Sequence, residues 1–109
     1  MLVLLTTQIS VGIVNNMKAS LVLDKRHVLS DNEFVDLVVW HSPSPASESH
    51  HEFKYRLALI VDGSCVVRDD NETGKGDHKH FGEVEVPYQF TSPEDLLRDF
   101  WKDVEKWRP

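Results

Sequence analysis

The dipeptide Asp62-Gly63 stands between two apolar, β-branched runs, residues 53–61 and 64–70. Asp-Gly is typical of a type I′ turn, because both central residues of that turn need a positive φ. The pattern therefore predicts a β-hairpin, and its two-residue loop fixes which residues face one another. The predicted pairs are Val61 with Ser64, Ala58 with Val67, Arg56 with Asp69 and Tyr55 with Asp70.

Two further regions have the composition of strands. Residues 20–29 and 34–41 are rich in branched apolar side chains, and a cluster of polar turn formers separates them. They predict a second hairpin. Residues 80–87 predict a short edge strand, because two glutamates and a proline suit an edge better than the centre of a sheet.

A helix is predicted near the C-terminus. Ser92 suits the N-cap, Pro93 the first helical position, and Asp95 completes a capping-box-like spacing. Apolar residues then recur at spacings of three and four, as Leu96, Leu97, Phe100, Trp101, Val104 and Trp107. Together the patterns predict an α+β fold: a small antiparallel sheet of about four or five strands, made of two hairpins and a short edge strand. The C-terminal amphipathic helix packs across one face of it.

The chain of 109 residues is the size of one small domain. Its first sixteen residues carry no charge, whereas Met17 opens a segment that looks like an ordinary cytoplasmic N-terminus. We therefore expect residues 1–16 to be a disordered or non-native extension and residues 17–109 to form the domain. The apolar run at residues 1–5 is far shorter than the roughly 18 to 20 residues that span a bilayer, so no membrane contact is expected.

Cysteine content and charge exclude other classes of protein. A single cysteine, Cys65, excludes an intramolecular disulfide framework and a cysteine-built zinc site, which makes the reducing cytoplasm the expected compartment. Because Cys65 falls in an apolar hairpin, we expect it to be an inert core thiol. The formal net charge of −6 argues against binding duplex DNA through a broad basic face. Any contact with nucleic acid is expected to come from a local cluster.

Residues 68–80 form the segment with the densest chemistry: three basic residues, four carboxylates and two histidines around two glycines. If the end of this segment is extended, His78 and His80 lie on one side and Asp77 and Lys79 on the other. Loops that serve only as connections do not require histidines alternating with lysine. The segment is therefore the candidate site.

Three interpretations of this segment remain open on the residues alone. RNA cleavage by attack of the 2′-hydroxyl needs a base, an acid and a cation, which the two histidines and the nearby basic residues supply. A metal could be bound by His78 and His80 with Asp77 or Asp70. Alternatively, the charges pair with one another in a solvated loop.

Three blocks of sequence carry a resemblance to a known family. They are Lys54-Tyr55-Arg56-Leu57-Ala58, Asp62-Gly63-Ser64-Cys65 and Gly74-Lys75-Gly76-Asp77-His78-Lys79-His80. Together they resemble the TumE-type toxins of bacterial and archaeal toxin-antitoxin pairs, and the resemblance extends from about Met17 to Trp107. It implies a small cytotoxic protein encoded beside a helix-turn-helix antitoxin, with a ribonuclease-like activity. Asp69 departs from the family, whose members often carry an aromatic residue at that position.

The leading hypothesis is a toxin that cleaves RNA without a metal or other cofactor. In it His78 and His80 act as base and acid. The supporting roles are phosphate binding by Lys75, Lys79 and Arg68, orientation of a histidine by Asp70 or Asp77, and substrate contact by Tyr55, Arg56 and Asn71. The expected partners are RNA and a helix-turn-helix antitoxin, with no membrane contact and no duplex DNA contact by this chain alone.

Two rival hypotheses come from other classes. One is a non-catalytic toxin or binding module that inhibits its target by occupancy, for which the acidic surface would suit a basic protein partner. The other is a metal-dependent nuclease that uses His78, His80 and Asp77 as ligands.

Overall fold

The structure is a computed structural model, and it describes residues 19–42, 51–71 and 76–108. The extension expected at residues 1–16 and the phosphate contact expected from Lys75 lie outside the described residues. The six described strands are β1 (Ser20–Ser30), β2 (Glu33–His41), β3 (Phe53–Val61), β4 (Ser64–Asp70), β5 (His78–Phe81) and β6 (Val84–Pro87). They form one sheet in chain order, each strand antiparallel to the next.

The α+β prediction is confirmed, but the prediction of four or five strands is wrong. Residues 80–87 do not form one edge strand. They span a third hairpin, in which β5 and β6 meet at Gly82. Gly82 has a φ of 63°, a left-handed conformation that a tight turn requires. Glycine adopts it without steric strain because it has no side chain.

The predicted helix is confirmed as α1 (Pro93–Trp107). The Ser92 hydroxyl accepts a hydrogen bond from the Asp95 backbone N–H at 3.1 Å, which satisfies one of the free donors at the helix start. No helix within the described ranges is long and apolar enough to cross a membrane.

The helix packs on one side of the sheet, against β3 and β4. Its buried residues are Leu96, Phe100 and Val104, whereas Trp107 is 42% exposed. The sheet contributes the other buried members of this core: Val35, Leu37, Val39, Tyr55, Leu57, Leu59 and Val67. We call this side of the sheet the helix face and the opposite side the open face.

The predicted pairing of β3 with β4 is confirmed only next to the turn. Val61 faces Ser64 as predicted, but a β-bulge shifts the register between Leu59 and Ile60. Leu59 therefore faces Val67, and every pair beyond it moves by one residue. The predicted partners of Ala58, Arg56 and Tyr55 are wrong: Ala58 faces Arg68, Arg56 faces Asp70, and the Tyr55 backbone N–H donates to the side chain of Asn71.

The bulge decides which side chains reach each face, because a shift of one residue exchanges the two faces of a strand. It places Arg68 and Asp70 on the open face and Asp69 on the helix face, opposite Leu57. Cys65 is exposed, so the prediction of a core thiol is wrong. It pairs with Ile60 beside the turn and away from the helix face.

Candidate functional site

Four polar side chains come together where β4 pairs with β5 on the open face. Arg68 is directly opposite His80, and Asp70 is directly opposite His78. Residues that face each other in adjacent strands lie on the same side of a sheet, so the four form one group. We call Arg68, Asp70, His78 and His80 the histidine cluster.

His78 is the buried member of the cluster, with 4% of its surface exposed. Its Nδ1 lies 2.9 Å from the Gly76 carbonyl oxygen, and its Nε2 lies 2.7 Å from Asp70 Oδ1 and 3.8 Å from Glu85 Oε2. A carbonyl and a carboxylate can only accept hydrogen bonds. Both ring nitrogens of His78 therefore face atoms that can only accept hydrogen bonds.

His80 has the opposite environment. Its Nε2 lies 2.9 Å from Nη2 of Arg68, and an arginine side chain can only donate. His80 Nε2 is therefore the acceptor and the ring is neutral, with its proton on Nδ1. The pKa of His80 is lowered from its ordinary value, first by desolvation and then by the charges of Arg68 and His78. The two imidazoles of the cluster therefore have different surroundings, with ring centroids 4.7 Å apart.

Two buried atoms of the cluster have unused hydrogen-bonding capacity. Arg68 Nε lies 3.0 Å from Asp70 Oδ2 as an ion pair. However, neither Arg68 Nε nor Asp70 Oδ1 has an aligned hydrogen-bond partner among the described residues. A buried polar atom without a partner costs about 1–3 kcal/mol, so the cluster is arranged to gain from a polar ligand.

The same cluster contains the one candidate metal site within the described residues. One ligand atom each from Asp70, His78 and His80 lies within 4.8 Å of the others, and two nitrogens with one oxygen suit a divalent transition metal. The Arg68 guanidinium contacts both Asp70 and His80, so a metal ion would have to displace a fixed positive charge. Of the two carboxylates that the sequence offered as ligands, Asp70 is in this group and Asp77 is not.

Asp77 lies on the side away from the cluster, as the alternation of the strand predicts. Its Oδ2 accepts from the Tyr55 hydroxyl at 2.7 Å and from His51 Nε2 at 2.8 Å. His51 Nδ1 accepts from the Phe53 backbone N–H at 3.1 Å, so the His51 proton is on Nε2. Burial and the hydrogen bond to Asp77 raise the pKa of Tyr55, which therefore stays a donor. This group joins β3 to the start of β5.

Lys79 and Asn71 also lie apart from the histidine cluster. The Lys79 ammonium is paired with Asp103 of α1 and lies 4.9 Å from the centroid of the Tyr88 ring. The Asn71 amide oxygen accepts from the Tyr55 backbone N–H at 3.0 Å, and its nitrogen donates to the Phe53 carbonyl at 2.7 Å. Both side chains are therefore engaged with the framework of the domain.

Asp69, the position that departs from the family pattern, is a buried carboxylate on the helix face. It is 0% exposed, and neither of its oxygens has a hydrogen-bond partner among the described residues. Desolvation raises the pKa of Asp69 to about 7, although Lys79 on the facing strand acts in the opposite direction. The alternation of β4 could have located it on the helix face only if the bulge had been known.

The remaining predicted residue, Arg56, lies on the open face next to the cluster. It is exposed and faces Asp70 across the β3–β4 pair. The structure thus brings together Arg68, Asp70, His78, His80 and Arg56 on one surface. It directs Asp77, Lys79, Asn71 and Tyr55 to the framework on the other side.

A known protein family matches almost the whole of the chain. The family model described as Toxin TumE matches residues 14–108, which include every described strand and the helix. No curated protein and no solved structure matches the chain. The match spans the histidine cluster and the framework that positions it, and on that basis the chain belongs to the Toxin TumE family.

Proposed function

We propose that this toxin cleaves RNA without a metal, by attack of a ribose 2′-hydroxyl on the adjacent phosphate, in the histidine cluster. The observation that carries the proposal is the contact between Arg68 Nη2 and His80 Nε2 at 2.9 Å. It joins a neutral base to the cation that would bind the phosphate. His78 Nε2 and Asp70 Oδ1 lie directly beside them, 2.7 Å apart.

In the first step Arg68 exchanges its partner, His80, for the phosphate of the substrate. A phosphate oxygen is a stronger acceptor for a guanidinium than a neutral imidazole, and it can be bound through two N–H groups. When Arg68 turns to the phosphate, His80 Nε2 loses its donor and is free to accept the proton of the 2′-hydroxyl. The oxygen then attacks phosphorus, while Arg68 stabilises the charge that develops on the phosphate.

The second step is departure of the 5′-oxygen. We assign the acid to His78, because its two ring nitrogens lie against the Asp70 carboxylate and the Gly76 carbonyl, which accept hydrogen bonds and do not donate them. The bond from phosphorus to the 5′-oxygen breaks, and that oxygen takes a proton from His78. The products are a 2′,3′-cyclic phosphate and a free 5′-hydroxyl. Because Arg68 supplies the positive charge at phosphorus, no metal ion is needed for this path.

The framework residues have positioning roles in this proposal. Asp77, held by Tyr55 and His51, precedes His78 directly, and Lys79 lies between the two histidines and is paired with Asp103 of the helix. These contacts fix the strand from which His78 and His80 project to the other side. Neither Asp77 nor Lys79 is assigned a contact with the scissile phosphate.

Turnover with and without a chelator tests the proposal against both of its rivals. Purified protein incubated with a large excess of labelled RNA should release many equivalents of product, ending in a cyclic phosphate. The rate should be the same in EDTA. Loss of cleavage in EDTA would favour a metal at Asp70, His78 and His80. Binding without cleavage at every ratio of protein to RNA would favour inhibition by occupancy.

The pH profile of cleavage gives a second test. The base must be neutral, and the pKa of His80 is lowered below its ordinary value of 6.5. The rise in rate with increasing pH should therefore have its midpoint below pH 6.5. At higher pH the rate should fall as the acid loses its proton. A profile that is flat between mildly acidic and mildly basic conditions would contradict a mechanism with two histidines.

The partner that we propose is an antitoxin with a helix-turn-helix domain, encoded next to this chain. Membership of a toxin family supports an antitoxin partner, and the net charge of −6 would speed encounter with a basic one. Coexpression of the neighbouring reading frame should restore growth and copurify with this protein. Growth inhibition that persists despite a soluble neighbour would contradict the pairing.

A further inference from the structure

The open face continues beyond the histidine cluster and carries an available cation. Arg56 is exposed beside Asp70, and its guanidinium makes no hydrogen bond or ion pair with any residue that the structure describes. Arg26, on the same face, differs because it donates to both oxygens of Asp36, at 2.7 and 3.0 Å. Arg56 is therefore the arginine of this face whose charge is available for a ligand.

An aromatic residue lies on the same face, one strand further away. Trp40 on β2 is opposite Lys54, two residues along from Val38, which is opposite Arg56. Trp40 is partly exposed and is not among the residues packed against the core. Within the described part of the chain its indole has no aromatic contact and no hydrogen bond. The packing of the domain therefore does not explain why a partly exposed tryptophan lies beside Lys54 and Arg56.

The register places these side chains at a useful distance from the cluster. Val38, Arg56, Asp70 and His78 face one another in turn across four adjacent strands. Since neighbouring strands lie about 4.8 Å apart, the backbone at Arg56 is roughly 10 Å from that at His78, and Trp40 is roughly 16 Å away. A phosphate and a base that follow the scissile linkage along a chain fall within this range.

The charge of this face also differs from that of the whole chain. Among the described residues, four basic and four acidic side chains lie on it, so its formal charge is balanced when the histidines are counted as neutral. The basic ones are Arg26, Lys54, Arg56 and Arg68, and the acidic ones are Asp24, Asp36, Asp70 and Glu85. The excess of negative charge that gives −6 overall is therefore located elsewhere.

We infer that Trp40 and Arg56 bind a single-stranded segment of RNA next to the linkage that is cleaved, with a base stacked on Trp40 and a phosphate paired with Arg56. This inference rests on the proposed function and names its substrate class. Aromatic side chains and cations on an open sheet are the common means of holding single strands, because unpaired bases expose a stacking surface that a duplex hides. Trp40 thus determines which form of RNA is accepted.

Binding of an oligonucleotide that cannot be cleaved tests the inference directly. The ligand is a fluorescein-labelled 2′-O-methyl oligoribonucleotide of mixed sequence, about ten nucleotides long, measured by fluorescence anisotropy. Trp40→Ala should raise Kd about 10-fold, the size of effect that loss of one stacked base produces, and Trp40→Phe should restore most of the affinity. Arg56→Ala should weaken binding and lower the slope of log Kd against log salt by about 0.7.

Matched controls come from the helix, on the other side of the sheet. Trp107 is an exposed tryptophan and Arg98 an exposed arginine of α1. Trp107→Ala and Arg98→Ala should leave Kd within about twofold of the wild type, since neither residue lies on the open face. Annealing the oligonucleotide to its complement should weaken binding by the wild-type protein. Equal affinity for the single strand and the duplex would overturn the inference.

Failure of the inference can be told apart from failure of the proposed function. If RNA is cleaved but Trp40→Ala and Arg56→Ala bind the oligonucleotide as the wild type does, the inference is overturned and the function stands. If the wild type binds the oligonucleotide through Trp40 but cleaves no RNA, the function fails. When both hold, Trp40→Ala should lower kcat/KM about 10-fold on the long strand and much less on a dinucleotide, which cannot reach Trp40.

Discussion

Replacing His80 by alanine is expected to lower the rate of RNA cleavage by at least about 100-fold and to abolish growth inhibition. Loss of a general base typically reduces a rate by 10²–10⁴-fold, and His80 Nε2 is the acceptor available to the 2′-hydroxyl once Arg68 has turned to the phosphate. The side chain is only partly buried and lies outside the core, so the variant should fold. Single-turnover cleavage of labelled RNA measures the effect.

His78 requires a different substitution, because it is buried and paired with Asp70. Alanine would remove one of the two partners of the buried Asp70 carboxylate and leave only the contact with Arg68, which is destabilising. His78→Gln keeps a donor in that position but cannot transfer a proton. We expect a similar loss of cleavage, with a thermal unfolding curve close to that of the wild type.

A substrate with sulfur in place of the 5′-oxygen separates the two roles. A thiolate leaves without needing a proton, so the acid becomes unnecessary while the base is still required. Cleavage of this substrate should be restored largely in His78→Gln and should remain impaired in His80→Ala. The reverse pattern would mean that the two histidines have exchanged roles.

His41→Ala is the matched control for both variants. Its Nε2 is paired with Glu52 at 3.0 Å, in an exposed position outside the cluster, and such surface pairs contribute about 0–1 kcal/mol. It should cleave RNA and inhibit growth as the wild type does. If the soluble His80→Ala protein remains fully toxic, the assignment of the histidine cluster as the catalytic site is wrong.

The secondary structure was largely predictable because its signals are local. The Asp62-Gly63 turn, the Ser92-Pro93 helix start and the apolar stripe of the helix each depend on residues close together in the chain. The third hairpin was missed because β5 and β6 have four residues each, and so short a strand has little periodicity.

The arrangement of the site was less predictable, because it depends on one inserted residue. The bulge near Leu59 moves Asp70 onto the open face and Asp69 onto the helix face. Two adjacent aspartates have the same local signal, yet one becomes the partner of His78 and the other a buried acid. Short-range patterns do not reveal a bulge, since it arises from how two strands fit together.

The contacts of Asp77 and Asn71 with the framework could not be predicted from the sequence either, because they also depend on how distant parts of the chain pack together. Their side chains accept from groups that are distant in the chain, among them the Tyr55 hydroxyl and the Tyr55 backbone N–H. A segment rich in charged residues contains groups that could bind a ligand or transfer a proton. It does not show which of its groups are already used to hold the fold.

Replacing Asp69 by asparagine is expected to stabilise the protein at pH 8 and to have almost no effect near pH 4. The pKa of Asp69 is raised from 3.8 to about 7, chiefly by desolvation. Between these two pH values the folded state binds a proton that the unfolded state has released. The contribution of Asp69 to the free energy of unfolding therefore falls as the pH rises from about 4 to 7 and is constant above that range. The full effect is on the order of 4 kcal/mol.

Urea unfolding of Asp69→Asn and wild type at both pH values measures this effect, since the other titrating groups are common to the two proteins. Asp31→Asn, at an exposed position, should change the free energy of unfolding by no more than about 0.5 kcal/mol at either pH.

The charges around Asp69 are Lys79, which favours its ionised form, and Asp103, Asp70 and Asp99, which oppose it. Because Lys79 is already paired with Asp103, it cannot fully serve both carboxylates. A difference between the proteins that does not depend on pH would therefore mean that Lys79 leaves Asp103 for Asp69, and the contact between β5 and the helix would have to be reassigned.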